Sequence, residues 1–343
     1  MRKPIALFAL LGLAHGAVAH HSTVAIYDSS RTIEVTGIVE DVSWRNPHGR
    51  LLLRSQDESG EEVVWEAETP AVVILRILGI GQDLIEVGDR ITIAGAPARR
   101  APDEMLARNI LLASGYELTL VNSEPHFPAG RNGNLVGRSL ELTNVDEAIA
   151  SADGIFRVWS TNMGDPAAFP LFKGGYPLTA AAEAVVAEWD PVDNELLRCG
   201  TKGQPLIMIT PAPVEFVRDG DRILMRIEEY DSLRVIHMNE NAVPPEEHTQ
   251  MGFSRGRFEG ETLVVETDRI QAQYFDPDGV PQSDRIRTVE RFTSNAEYDR
   301  LDYTITVTDP VYFTEPFELA RYFVWRPGMH VVPYECLERD WSG

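Results

Sequence analysis

The chain has 343 residues, room for two domains of ordinary size, and sets 31 basic side chains against 53 acidic ones for a formal net charge of −22. A surface that acidic repels phosphate backbones and anionic bilayers, so nucleic-acid binding and attachment to charged membranes are not expected. There are two cysteines, Cys199 and Cys336, outside any Cys-x-x-Cys pair, and neither a phosphate loop nor a dinucleotide fingerprint is present.

The first element is a short basic start, Met1-Arg2-Lys3, followed by an uncharged apolar stretch from Pro4 to Val18. Ala17 and Ala19 form the small-x-small pattern that a signal peptidase accepts, so residues 1–19 read as a signal peptide and His20 as the mature amino terminus. The apolar run is too short to span a bilayer, and no later stretch reaches about 18 apolar residues. The expectation is a periplasmic or secreted protein that does not span a membrane after cleavage. In such an oxidising compartment Cys199 and Cys336 are expected to form one structural disulfide.

Ile33 to Arg45 alternates β-branched and polar residues and predicts a strand bent at Gly37. Asn46-Pro47-His48-Gly49 breaks it. Arg50–Arg54 and Glu62–Glu68 predict a second and a third strand around the turn Asp57-Glu58-Ser59-Gly60. Thr69-Pro70 predicts a helix over Ala71–Leu78, with Thr69 as N-cap and Pro70 at the first helical position, ended by Gly79 and Gly81. Asp89–Ala94 and Met105–Ala113 predict two further strands. Three strands, a helix and two strands is the order of an OB fold, placed at residues 20–120. It lacks the basic stripe and aromatic platform of OB folds that hold single-stranded nucleic acid. Ser123, Pro125, Pro128, Gly130, Gly133 and Gly137 mark a linker over residues 121–154.

Residues 155–343 read as a second domain. Ile155–Trp159 predicts a strand and Thr179–Trp189 a short helix capped by Thr179 and stopped by Asp190-Pro191. Ten strands follow at hairpin spacing: Leu206–Thr210, Val214–Val217, Arg222–Glu228, Leu233–Met238, Phe253–Phe258, Thr262–Thr267, Arg287–Thr293, Leu301–Thr308, Leu319–Trp325 and His330–Glu335. Asp219-Gly220 and Glu259-Gly260 are hairpin turns. The fold class is therefore all-β and mainly antiparallel: a small OB-like barrel, then an antiparallel meander. Closure of the meander into a barrel would remove its edges; a two-sheet sandwich is the alternative.

His20-His21-Ser22, Asp28, Gly37, Asn46-Pro47-His48, Trp65, Glu68, Gly88-Asp89, Gly95 and Pro97 resemble an uncharacterised family of exported bacterial domains over roughly residues 20–115. Residues 155–340 resemble a second set of uncharacterised exported bacterial proteins, through Cys199, Gly203-x-Pro205, Gly252-x-Ser254-x-Gly256-Arg257, Gly260-x-Thr262-Leu263, Glu290-Arg291-Phe292, Asp309-Pro310 and Cys336-x-Glu338. That set tends to carry Met-Asp-Gly-Arg and His-Pro where this chain has Met238-Asn239-Glu240-Asn241 and Pro244-Pro245. Neither resemblance implies an activity.

Two constellations carry chemistry. An amino-terminal His20 would offer its α-amine and ring Nδ1 to one metal ion, and His21 and His48 are the candidates to complete the site; histidine nitrogens suit copper and zinc, and copper is the expected ion. The terminus is similar in this respect to amino-terminal histidine copper sites of exported copper carriers and oxidases. In the second domain His237 with Glu228 or Asp231 could form an acid–base pair of a hydrolase- or lyase-type enzyme. Gly252-x-Ser254-x-Gly256 lies between strands with no helix after it, unlike a nucleophile elbow. Glu290-Arg291 and Arg257–Glu259 read as surface or rim ion pairs, and Arg234 as part of a charged solvent face. Phe216, Tyr230, Phe258, Phe292, Tyr303, Tyr322 and Trp325 either line a cavity or fill the barrel. The reading that gathers most of these features is an exported binding protein with a copper site, and a barrel that takes a small apolar molecule or a protein partner.

Overall fold

The computed structural model describes residues 26–57, 59–120, 123–128, 131–132, 142–190 and 199–336. The first barrel comprises β1 (Ile33–Ser43), β2 (Arg50–Gln56), β3 (Glu62–Glu68), helix α1 (Val72–Ile77), β4 (Arg90–Pro97) and β5 (Glu104–Leu111). β1 is long enough to serve two neighbours: Ile33–Ile38 runs along β4 and Ile38–Ser43 along β2. The change of partner falls at Gly37, where a Cβ would stand 2.7 Å from the Arg54 carbonyl oxygen, so only glycine lets the strands approach. β3 pairs in parallel with β5 and closes the ring β3-β2-β1-β4-β5. This is the strand order, with its helix between the third and fourth strands, of an OB-like barrel. Inward residues of alternating strands, among them Val39, Leu51, Leu53, Ile91, Ile93 and Met105, form its core with Leu75 of α1. The N-cap of α1 is Ala71, not Thr69, and no side chain caps it. Thr69 is held instead by its backbone, its N–H donating to Gly49 O at 2.8 Å. β6 (Tyr116–Thr119) and β7 (Arg131–Asn132) extend the sheet from β5, so β7 falls within the stretch expected to be linker.

After α2 (Val145–Ala150), β8 (Val158–Ser160) and α3 (Ala180–Glu188), the second barrel continues with β9 (Val214–Asp219), β10 (Arg222–Ile227), β11 (Ser232–His237), β12 (Phe253–Glu259), β13 (Thr262–Asp268), β14 (Arg287–Ser294), β15 (Arg300–Thr308) and β16 (Phe317–Trp325). Nine strands, β8 to β16, close in chain order with β16 returning to β8. A closed ring with an odd number of strands cannot alternate direction throughout. The mismatch is taken up between β11 and β12, which are parallel; the segment after His237 recrosses the barrel before β12 begins. Thr179 caps α3 as expected, accepting from the Ala182 N–H at 3.3 Å.

Two expected strands are absent from the ring. Leu206–Ile209 is a 3₁₀ turn, fully buried, that plugs the barrel beneath β16. Arg321 of β16 fixes it, donating through Nη1 to Met208 O and Thr210 O, each at 3.0 Å. Burial pushes the Arg321 guanidinium down to about 9. His330–Glu335 is an extended strap tied to the first barrel through Asn46, which bridges to Cys336 and donates to Tyr334 O. The Cys199–Cys336 disulfide forms as expected, with Cα atoms 6.0 Å apart.

The barrel has two unlike rims. One carries short connections, at Gly220-Asp221, Gly260-Glu261 and residues 295–299. Gly220 and Gly260 there adopt the left-handed φ of 61° that tight turns require. The other rim carries the long connections, the plug and the turn Glu228–Asp231, and it faces the first barrel.

Candidate metal corner and interbarrel cleft

The loop Trp44–Gly49 joins β1 to β2. At Gly49 a Cβ would lie 2.5 Å from Thr69 Oγ1 and 3.2 Å from the Trp44 ring, so glycine lets the loop rest on the end of β3. That places His48 over Glu68, the last residue of β3, with Nδ1 2.9 Å from Oε1. Tyr27 donates its hydroxyl to the other oxygen, Oε2, at 3.0 Å. The entering chain is held there by Asp28 N to Pro97 O and Arg99 N to Ile26 O, both 2.8 Å. Glu68 is only 6 % exposed. The Glu68 carboxylate thus accepts the tyrosine hydroxyl and stands within ion-pair distance of the imidazole, an arrangement of the kind that supports metal-binding histidines and leaves Nε2 for an ion. The sequence singled out His48; it did not signal Tyr27 or the role of Glu68, since neither lies near His48 in the chain. His20 and His21 lie outside the described residues. Among the described residues no three His, Cys, Asp or Glu side chains group as a ready metal site.

On the other side of the same loop a cleft of about 570 Å³ opens between the barrels. Trp44, Arg45 and Asn46 form one wall, Val72, Arg76 and Ile80 another, and Glu228 with the strap the third. Arg76 crosses from α1 to grip Glu228, Nη2 lying 2.8 Å from Oε1 and 2.6 Å from Oε2. The strap adds its Val332 N–H to Oε2 at 3.1 Å. Burial holds the Glu228 carboxyl above its usual range, against the opposing pull of Arg76. Asp231 accepts the Tyr334 N–H at 3.2 Å, and the Tyr230 and Tyr334 rings meet at 4.9 Å. Asn46 Nδ2 donates to Tyr334 O. Around this floor four non-glycine residues are left-handed: Cys199, Tyr230, Asp231 and Glu335, at φ of 55°, 57°, 49° and 42°. Such conformations cost on the order of 1–3 kcal/mol each and persist where surrounding contacts dictate them.

Of the residues considered for catalysis, Glu228 and Asp231 share one turn, but His237 ends β11 at the opposite rim. Six residues of strand separate His237 from Asp231, roughly 20 Å. Its ring stacks on Phe253 at 4.8 Å. Glu228 is taken by Arg76 and Asp231 by the strap, so the geometry does not bring the three together. Several second-barrel readings also change sides. Arg234 is 1 % exposed and Glu290 0 %; both point into the barrel, where Arg234 Nη1 donates to Glu290 Oε1 at 3.0 Å and Nη2 to Oε2. Tyr303, Ser254 and Thr267 complete this interior network. Arg257, Glu259 and Arg291 belong to the outer surface as expected, both arginines pairing with Glu259. Among the aromatic candidates Phe216, Phe292 and Tyr303 fill the interior, Phe258 is exposed, and Tyr230 packs on the strap.

The molecule is thus a two-barrel, nearly all-β protein with a histidine–carboxylate corner and an adjoining cleft. Residues 9–106 match the model of a family of unknown function, DUF6152. No curated protein matches the chain. Among solved structures, the mitochondrial single-stranded DNA binding protein Rim1 of S. cerevisiae aligns with 24 % of this chain and 92 % of its own at 10 % identity and a TM-score of 0.20, a likeness too loose to carry any inference. No helix among the described residues is long and apolar enough to cross a membrane.

Proposed function

We propose that this is an exported, periplasmic or secreted binding protein that holds copper at its amino terminus. The observation that carries this reading is the Tyr27–Glu68–His48 arrangement, in which a buried carboxylate stands beside an imidazole and receives the entering chain at the same point. Cleavage after Ala19 would start the mature chain at His20, whose amine and ring chelate one ion. His21 and His48 Nε2 would add nitrogens of the type copper prefers. His21 precedes Tyr27 by six residues, a reach of about 20 Å, so the terminus can fold back to the corner.

Copper titration of three proteins tests this: the exported chain, its amino terminus established by intact mass; the same chain with one residue added before His20; and His48→Ala. The expected outcome is tight one-to-one binding that drops by at least about tenfold in each altered protein. Equal affinity in all three would reduce these residues to ordinary surface histidines.

A further inference from the structure

We infer that the cleft between the barrels is a second binding site, for a small organic cation with an apolar body. Its volume, about 570 Å³, is that of pockets that enclose a small molecule, and such pockets favour the junction of two folded units. The walls come from four separate stretches of chain: the β1–β2 loop, α1 with the turn after it, the Glu228 turn, and the strap. The strap is fixed at several points, through Glu228, Asp231, Asn46 and the disulfide, so the cavity is pre-formed.

Charge decides the class of ligand. Glu228 and Arg76 neutralise each other at the floor. Of the remaining charged lining residues Asp83 and Glu335 are acidic and Arg45 alone is basic. Arg45, Asp83 and Glu335 are all exposed, which leaves one excess negative charge around the cleft in a chain that carries −22 overall. This field disfavours anions. Trp44, whose indole is the side chain that attracts organic cations best, lines the cleft, and Val72, Ile80, Val332 and Pro333 supply an apolar lining for the rest of the molecule.

Calorimetric titration of the full exported chain, with a chelator present, tests the site independently of any metal. Three probes of one size are used: benzyltrimethylammonium, neutral phenylacetamide and anionic phenylacetate. Saturable binding of the ammonium, about tenfold tighter than the amide and with the carboxylate weakest, is expected. Trp44→Leu should weaken the ammonium about tenfold and Asp83→Asn about threefold. Should Trp44→Leu fail to fold, the order of the three probes and the exposed Asp83→Asn variant decide. No saturable binding by any probe, phenylacetate as the tightest, or an affinity unchanged in a folded Trp44→Leu would overturn the proposal.

Discussion

Asp276 lies in the long connection between β13 and β14, 2 % exposed, with Oδ1 accepting the backbone N–H groups of Asp278 and Val280 at 3.0 Å each. Burial pushes its carboxyl up to about 7; the bonds from Val280 and Asp278 oppose the shift, while the Asp278 charge adds to it. The neighbouring Tyr176 hydroxyl is held above its usual range, by burial first and by Asp276 next. The folded state therefore binds this proton more tightly than the unfolded chain does. The stabilisation it brings is complete below about pH 4 and is lost as pH rises through about 7, on the order of 4 kcal/mol. Asp276→Asn keeps an oxygen for both backbone bonds and removes the titration. Urea unfolding at pH 5 and pH 7.5 should show the wild type losing more stability over that interval than the variant; identical losses would show that Asp276 does not set this dependence. Nothing in Asp276-Pro277-Asp278-Gly279 signals a buried acid, since the same letters describe any exposed turn. Glu290 was misjudged for a related reason. Strict alternation in β14 puts Arg291 outward and Glu290 inward, but a charge on the buried face reads as exposed until its partner, Arg234, is located 56 positions away.

At the scale of single elements the pattern was most legible where period and turn chemistry agreed. All five strands of the first barrel and all nine of the second lie within a few residues of expected strands, because alternation, Gly37 and the Gly220 and Gly260 turns speak together. Leu206–Ile209 failed because a short apolar run suits a strand and a buried turn alike, and only the barrel end it fills distinguishes them. His330–Glu335 failed because it has the residues of a strand but the ring is already closed by β8. The joint between β4 and β5 shows how narrow closure is. The register shifts between Ala94 and Gly95, and a Cβ at Gly95 would be driven into the Leu106 carbonyl. Gly95→Ala should destabilise the protein by about 1–3 kcal/mol as the pair is forced apart. A thermal midpoint equal to that of the wild type would mean the strands separate there at no cost.

Over the whole molecule, the placement of one barrel against the other was hidden, because it rests on pairs such as Arg76 and Glu228, 152 positions apart. His48 was legible from its motif, whereas Glu68 and Tyr27 become its partners only once the ring closes. The disulfide joins residues 137 apart, a separation at which a cross-link contributes about 5 kcal/mol by restricting the unfolded chain. Reduction under native conditions should lower the midpoint of denaturant unfolding accordingly and loosen the strap. Unchanged unfolding after complete reduction would assign the stability to the barrels alone. The unlike rims give the molecule a practical polarity. The cleft, the plug and the His48–Glu68 corner gather at or beyond one end, and the other end carries the tight turns and His237 at the end of β11. A dye, an affinity tag or a surface linker placed at Gly220 or Gly260 would stand roughly 20 Å of strand away from the cleft and from the His48–Glu68 corner. The protein could then be immobilised by that end, with its binding surfaces facing freely into solution.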